Sequence, residues 1–148
     1  MAEQRRAVAA AIERGDSAWL AVRRPDEPGE ELPGVWGLPA TTLRNGESPE
    51  EGLRRLGREK LGVELTPLRS LGEGEQERPD YTLDMTVYEA SMAGEPRLPP
   101  RASDRTSTLY EALGWLPAAL FNDAAARGSL CCRVFLEAVG TTGVEETT

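Results

Sequence analysis

Histidine is absent from the 148 residues. That removes the commonest general base and the commonest zinc ligand, and with them every Ser-His or Cys-His nucleophile pair. Acid–base work must fall to carboxylates, lysine, tyrosine or bound water. Cysteine is nearly absent as well: Cys131 and Cys132 are adjacent, and no third cysteine exists to pair with either. Neighbouring cysteines make a poor disulfide, so the pair reads as small apolar residues on a helix. Basic residues are in deficit, 17 against 25 acids, giving a net charge of −8. Such a surface argues against nucleic-acid phosphates as a partner. A small anionic ligand would then require the basic residues to be gathered at its site. No apolar run is long enough for a signal peptide or a membrane span, and the expected compartment is the cytoplasm.

What is present suits one globular domain. Hydrophobic residues make up 39% of the chain and charged residues 28%, and the length allows one sizeable core. The expected domain covers residues 1–140, followed by a polar, disordered tail over 141–148. Residues 6–14 are alanine-rich, and propensity alone favours a helix there. The Gly15-Asp16 turn and the apolar run Ala18–Val22 behind it favour a pair of strands instead. Residues 25–34, rich in proline and acids, read as a surface loop, and Trp36–Pro39 as a short strand with Trp36 in the core.

A helix is well signalled after that. Ser48 is a good N-cap, Pro49 suits the first helical position, and Glu51 completes a capping box. Leu53, Leu56 and Leu61 supply an apolar stripe, and Gly62 fits a left-handed cap. Gly52 and Gly57 each cost about 1 kcal/mol in a helix interior, which implies close packing against a sheet. Further strands are expected over 67–71 and 81–90, joined by a polar connection over 72–80. A Pro/Arg-rich loop over 94–107 could border a ligand. Trp115–Pro117 reads as a last strand. Gly128-Ser129 opens a final helix, with Leu130, Cys131, Val134, Phe135 and Ala138 available for one face.

The stretch from Trp36 to Val63, WGLPATTLRNGESPEEGLRRLGREKLGV, resembles a Nudix box. That family's pattern is Gly, five residues, Glu, seven residues, Arg-Glu, a hydrophobic, any residue, Glu-Glu, any residue, Gly and a hydrophobic. Glu47, Arg55, Glu59, Gly62 and Val63 match it; Thr41, Leu56, Gly57 and Lys60 do not. The resemblance implies an α/β fold with a mixed β-sheet sandwiched between the box helix and a C-terminal helix. It also implies hydrolysis of a nucleoside diphosphate linked to another group, with Mg²⁺ or Mn²⁺ held by box glutamates. Residues three and four apart share a helix face, so positions 56, 59 and 60 are expected to converge. Magnesium takes hard oxygen ligands, often one or two carboxylates with waters and substrate phosphates.

Here those positions hold Leu56, Glu59 and Lys60. Leu56 offers no ligand, and an ammonium at Lys60 repels a dication. Glu59 and Glu47 are the remaining candidate catalytic and metal-binding acids, although the family pairs the glutamate and arginine matching Glu47 and Arg55, which makes that pair structural. Lys60 is a candidate internal counterion or phosphate donor; a solvated lysine on an exposed face is the alternative. Ala40-Thr41 replaces the glycines that let backbone approach the ligand. Outside the box, Arg24 is the first candidate for a nucleotide phosphate or base, against a plain surface arginine. Asp104 and Glu111 lie where some relatives place a further acid, and neither is assigned that role. Two functions follow. One is a divergent Mg- or Mn-dependent hydrolase of nucleotide-linked diphosphates. The other, favoured by the box chemistry, is a module that binds a phosphorylated metabolite or nucleotide without cleaving it. A third, an interaction domain without a ligand, predicts a cleft filled by side chains such as Leu56.

Overall fold

The computed structural model describes residues 3–15, 17–24, 34–98, 110 and 112–139. Strand β1 (Glu3–Ala11) lies at the centre of the first sheet, whose order is β5-β1-β7-β6, with β5 at Ala40–Thr42, β6 at Glu64–Glu77 and β7 at Tyr81–Ala93. β1 runs parallel to β7 and antiparallel to β5, so the sheet is mixed. A second, antiparallel sheet joins β2 (Glu13–Arg14), β3 (Ala18–Arg23) and β4 (Trp36–Gly37), with β8 (Ala112–Pro117) on the other side of β3. The architecture is α/β, as expected, and the strands divide into two sheets.

The alanines of β1 explain why a helix-prone segment is a strand. Ala7, Ala9 and Ala11 enter one core cluster, and Val8 and Ala10 the other. Both faces are buried, and the side chains are small enough for a helix to approach each side. Burial overrides local propensity. The first cluster packs against α3 (Leu130–Val139), where Trp19 and Phe135 meet edge to face at 4.9 Å. The second packs against α1 (Pro49–Leu56).

Helix α1 begins as its sequence dictates. The Glu51 amide donates to Ser48 Oγ at 3.1 Å, and the Ser48 amide donates to Glu51 Oε1 at 2.9 Å. It does not continue as an α-helix: Gly57–Leu61 forms a π-turn, closed by Gly62 at φ 68°, ψ 31°. Leu56 and Leu61, five residues apart, would lie about 140° apart on an α-helix. The wider turn lets both join Leu53 in the core, all three fully buried, each worth roughly 1.5–3 kcal/mol. Gly57 makes the close approach possible, because a Cβ there would stand 2.9 Å from Val63 O and 2.7 Å from Leu65 Cγ.

Two expectations are corrected. Residues 72–77 are strand, the second half of β6, and only 78–80 turn the chain. Gly72 and Gly74 mark close contact here: a Cβ on either would come within 3.0–3.1 Å of Val134 or Leu130 on α3. In the final helix Ala138 is exposed, while Cys132 and Leu136 are buried. Ser129 opens that helix by accepting from the Cys132 amide at 3.4 Å. The tail over 141–148, Asp104, Glu111 and most of the loops over 25–34 and 94–107 lie outside the described residues. Among the described residues no helix is long and apolar enough to cross a membrane.

Candidate functional site

The loop between β5 and α1 is fastened to the helix by one side chain. Arg55 is 8% exposed and spends its guanidinium on four partners. Nε and Nη2 donate to the two carboxylate oxygens of Glu47, each at 2.8 Å. Nη2 also reaches Thr42 O at 2.9 Å, and Nη1 reaches Glu59 Oε1 at 3.3 Å and Thr41 Oγ1 at 3.4 Å. The fork hydrogen bonds from Arg55, helped by the Arg44 amide, hold the Glu47 carboxyl at about 2 despite burial, which opposes the shift. The same bonds push the Arg55 guanidinium above its ordinary value. Bidentate, charge-assisted geometry of this kind is strong. Glu59, the other box acid, is a partner of Arg55 and also lies 3.5 Å from Arg44 Nη2. Both remaining box carboxylates are thus arginine counterions.

The three positions expected to converge do not. Leu56 is fully buried in the core beside Val8 and Ala10. The Glu59 side chain is 41% exposed on the box surface. Lys60 is 6% exposed and turns into a cleft. The π-turn is one reason, since it changes the angle between residues before and after Gly57; the apolar nature of Leu56 is the other. Among the described residues no three Asp, Glu, His or Cys side chains gather as metal ligands. Among the described residues the three-acid set that the resemblance implies is therefore not assembled.

Lys60, the only lysine in the chain, is no solvated surface residue. Its Nζ donates to Ala40 O at 3.0 Å and lies 5.3 Å from the centre of the Tyr110 ring. The Tyr110 hydroxyl accepts from the Ala40 amide and donates to Ala40 O, each at 3.0 Å. Burial pushes that phenol up to about 12, so it stays protonated. A carbonyl and an aromatic face partly replace the hydration that burial strips from an ammonium.

Lys60, Ala40 and Tyr110 wall one end of a cleft of about 700 Å³ that runs along the first sheet to the start of α3. Among the described residues its lining carries six cations, Arg24, Arg44, Arg55, Lys60, Arg78 and Arg127, and no acid. On a chain of net charge −8, that gathering is the condition a small anionic ligand requires. Arg24 is half-buried and lines the cleft, so the structure brings it together with Lys60, while Glu47 and Glu59 lie outside it. Gly62 is the helix cap, as expected. Trp36 is partly buried against the core and does not line the cleft.

Sequence reasoning missed Tyr110, Gln76, Arg78 and Arg127, which stand alone in turns and strands without a pattern. Cys131 also faces the cleft. Its thiol is brought down, chiefly by the Cys132 hydrogen bond, with Ser129 and the Arg24 charge assisting and burial opposing. Cys132 is pushed up by the same bond and by burial, and it packs against Gly37.

Comparison with known proteins places the chain. The NUDIX domain family model matches residues 3–130. A MutT NUDIX hydrolase from Burkholderia pseudomallei is 30% identical, with a TM-score of 0.64 over 79% of this chain and 85% of that one. A NUDIX hydrolase from Nitrosomonas europaea has a TM-score of 0.72 at 19% identity, over 95% and 90%. An ADP-ribose pyrophosphatase from Streptococcus suis has 0.57 at 17% identity, over 78% and 75%. No curated protein matches the sequence. With the family model covering most of the chain, and the box cap, the Glu47–Arg55 pair and the mixed sheet all in place, the protein belongs to the Nudix hydrolase family.

Proposed function

We propose that this family member binds a nucleotide or similar phosphorylated metabolite in the cationic cleft and does not cleave it by a box-held metal. The observation that carries the reading is the position of Lys60. It stands where the family pattern has a glutamate and presents an ammonium at the cleft wall. A carboxylate there would recruit a dication, which in turn would grip a phosphate. The ammonium grips the phosphate directly, as a compact charge with rotatable donors. Arg24 supplies a second cation, and Glu47 and Glu59 are occupied as counterions of Arg55.

This reading makes an unusual demand on magnesium. A Mg²⁺ ion complexed to a diphosphate cancels the charge that the cleft cations recognise. Free ligand should therefore bind more tightly than its Mg²⁺ complex. Calorimetric titration with ADP and with ADP-ribose, in chelator and then in Mg²⁺, tests it. The expected result is binding in chelator, weaker binding in Mg²⁺, and at least tenfold loss in Lys60→Met, which keeps most of the packed stem. A parallel assay should find neither ligand cleaved. Turnover of either ligand that Mg²⁺ stimulates and chelator abolishes would overturn the proposal in favour of a divergent hydrolase. Binding that needs Mg²⁺ would do the same.

A further inference from the structure

The cations of the cleft are not gathered at one spot. Lys60 Nζ is one hydrogen bond from Ala40, on the edge strand β5. At the other end Arg78 Nε donates to Gln76 Oε1 at 2.6 Å, and Gln76 lies on β6, the opposite edge strand. Gln76 is itself fixed, because its Nε2 donates to Gly128 O at 3.2 Å, just before α3. Arg127 lines the same end, and its side chain is 58% exposed. Its partner Asp123 is also exposed, and an exposed ion pair is worth little against a bound anion.

The register gives the separation. Ala40 lies opposite Ala9, while Gln76 lies opposite Leu83, which lies opposite Arg5. The two anchors are thus three strand spacings apart across the sheet, about 14 Å, and four residues along it, about 13 Å, or roughly 19 Å on the diagonal. A volume of about 700 Å³ extended in this direction makes a slot. Arg24 also lines the cleft, within electrostatic reach of both Tyr110 and Cys131.

We infer that the cleft takes an extended ligand with a phosphate or diphosphate at the Lys60 end and a second phosphate at the Arg78–Arg127 end. A ligand with one anionic group leaves one end unused. A ligand that spans the slot gains the second contact as an intramolecular event, without a second cost of association. This inference rests on the anion-binding reading above and adds to it the length and the two-ended charge of the ligand.

A molecular ruler tests it: monodisperse oligo(ethylene glycol) chains bearing phosphate at both ends, in a short and a spanning length, beside a spanning chain phosphorylated at one end only. Affinities are measured by calorimetry in chelator, with inorganic pyrophosphate as the reference anion. The spanning bis-phosphate should bind at least tenfold more tightly than the spanning mono-phosphate and the short bis-phosphate. Arg78→Ala should reduce that advantage to less than threefold, and Arg127→Ala, at an exposed site, should reduce it independently should Arg78→Ala not fold. Equal affinity of the spanning mono- and bis-phosphates would overturn the two-ended ligand while leaving the anion cleft intact. An advantage undiminished in both variants would overturn the assignment of its far end. Failure of every probe, pyrophosphate included, would overturn the anion cleft itself.

Discussion

Substituting Glu47 with glutamine asks whether that carboxylate is a fastening or a metal ligand. The wild-type side chain is 13% exposed and accepts two bonds from Arg55 and one from the Arg44 amide. Glutamine keeps the shape and removes the charge. Two routes give the expected cost. The carboxyl moves from 4.5 to about 2 on folding, and at 1.36 kcal/mol per unit this amounts to about 3 kcal/mol. Breaking one side of a buried ion pair costs about 3–5 kcal/mol, and Arg55 keeps Thr42 O and Glu59, which favours the low end. Urea denaturation at pH 7 should therefore show Glu47→Gln less stable by about 3 kcal/mol. The pH dependence gives a second readout. Because folding depresses this acid, its contribution is fully present above about pH 4.5 and is lost as pH falls toward about 2. The wild type should lose stability across that window, and the variant should lose correspondingly less, so the two curves converge in acid. Equal midpoints at pH 7, or parallel curves from pH 5 to 2, would refute the fastening.

The remaining tests are smaller. Ser48→Ala should cost about 1 kcal/mol in the same assay, since it removes the acceptor for the Glu51 amide. Leu56→Glu should destabilise by several kcal/mol, and Mg²⁺ should not restore the loss, because the new carboxylate enters a fully buried core position; stabilisation by Mg²⁺ would mean that position 56 reaches the site. Pyridoxal phosphate followed by borohydride should label Lys60, the only lysine, and pyrophosphate should protect it, as read by peptide mass. Iodoacetamide should modify Cys131 before Cys132, whose thiol is the one pushed up; modification of Cys132 first would contradict the assigned polarity of the pair.

The fold was legible wherever one local signal sufficed. Ser48, Pro49, Glu51 and Gly62 each act within a few residues of themselves, and the chain places all four as their chemistry requires. The Glu47–Arg55 fastening came from the family spacing, and no local rule would have found it. Reading failed where a residue's role depends on something distant. Gly72 and Gly74 look like turn residues until α3 is known to lie on them. Leu61 breaks an α-helical stripe unless a π-turn intervenes, and nothing around Gly57 announces one. The site follows the same division. Lys60 stood out because it replaces an expected acid. Arg78 and Tyr110 carried no signal, since the turn between β6 and β7 places one of them and a pair of hydrogen bonds with Ala40 holds the other. The box contributes Arg55, which matches its pattern, and Thr41 and Lys60, which depart from it, to the cleft lining, while its matching acids Glu47 and Glu59 pair with Arg55. On the proposed reading, the ligand is argued from Lys60 and the arginines that line the cleft, because Glu47 and Glu59 lie outside it.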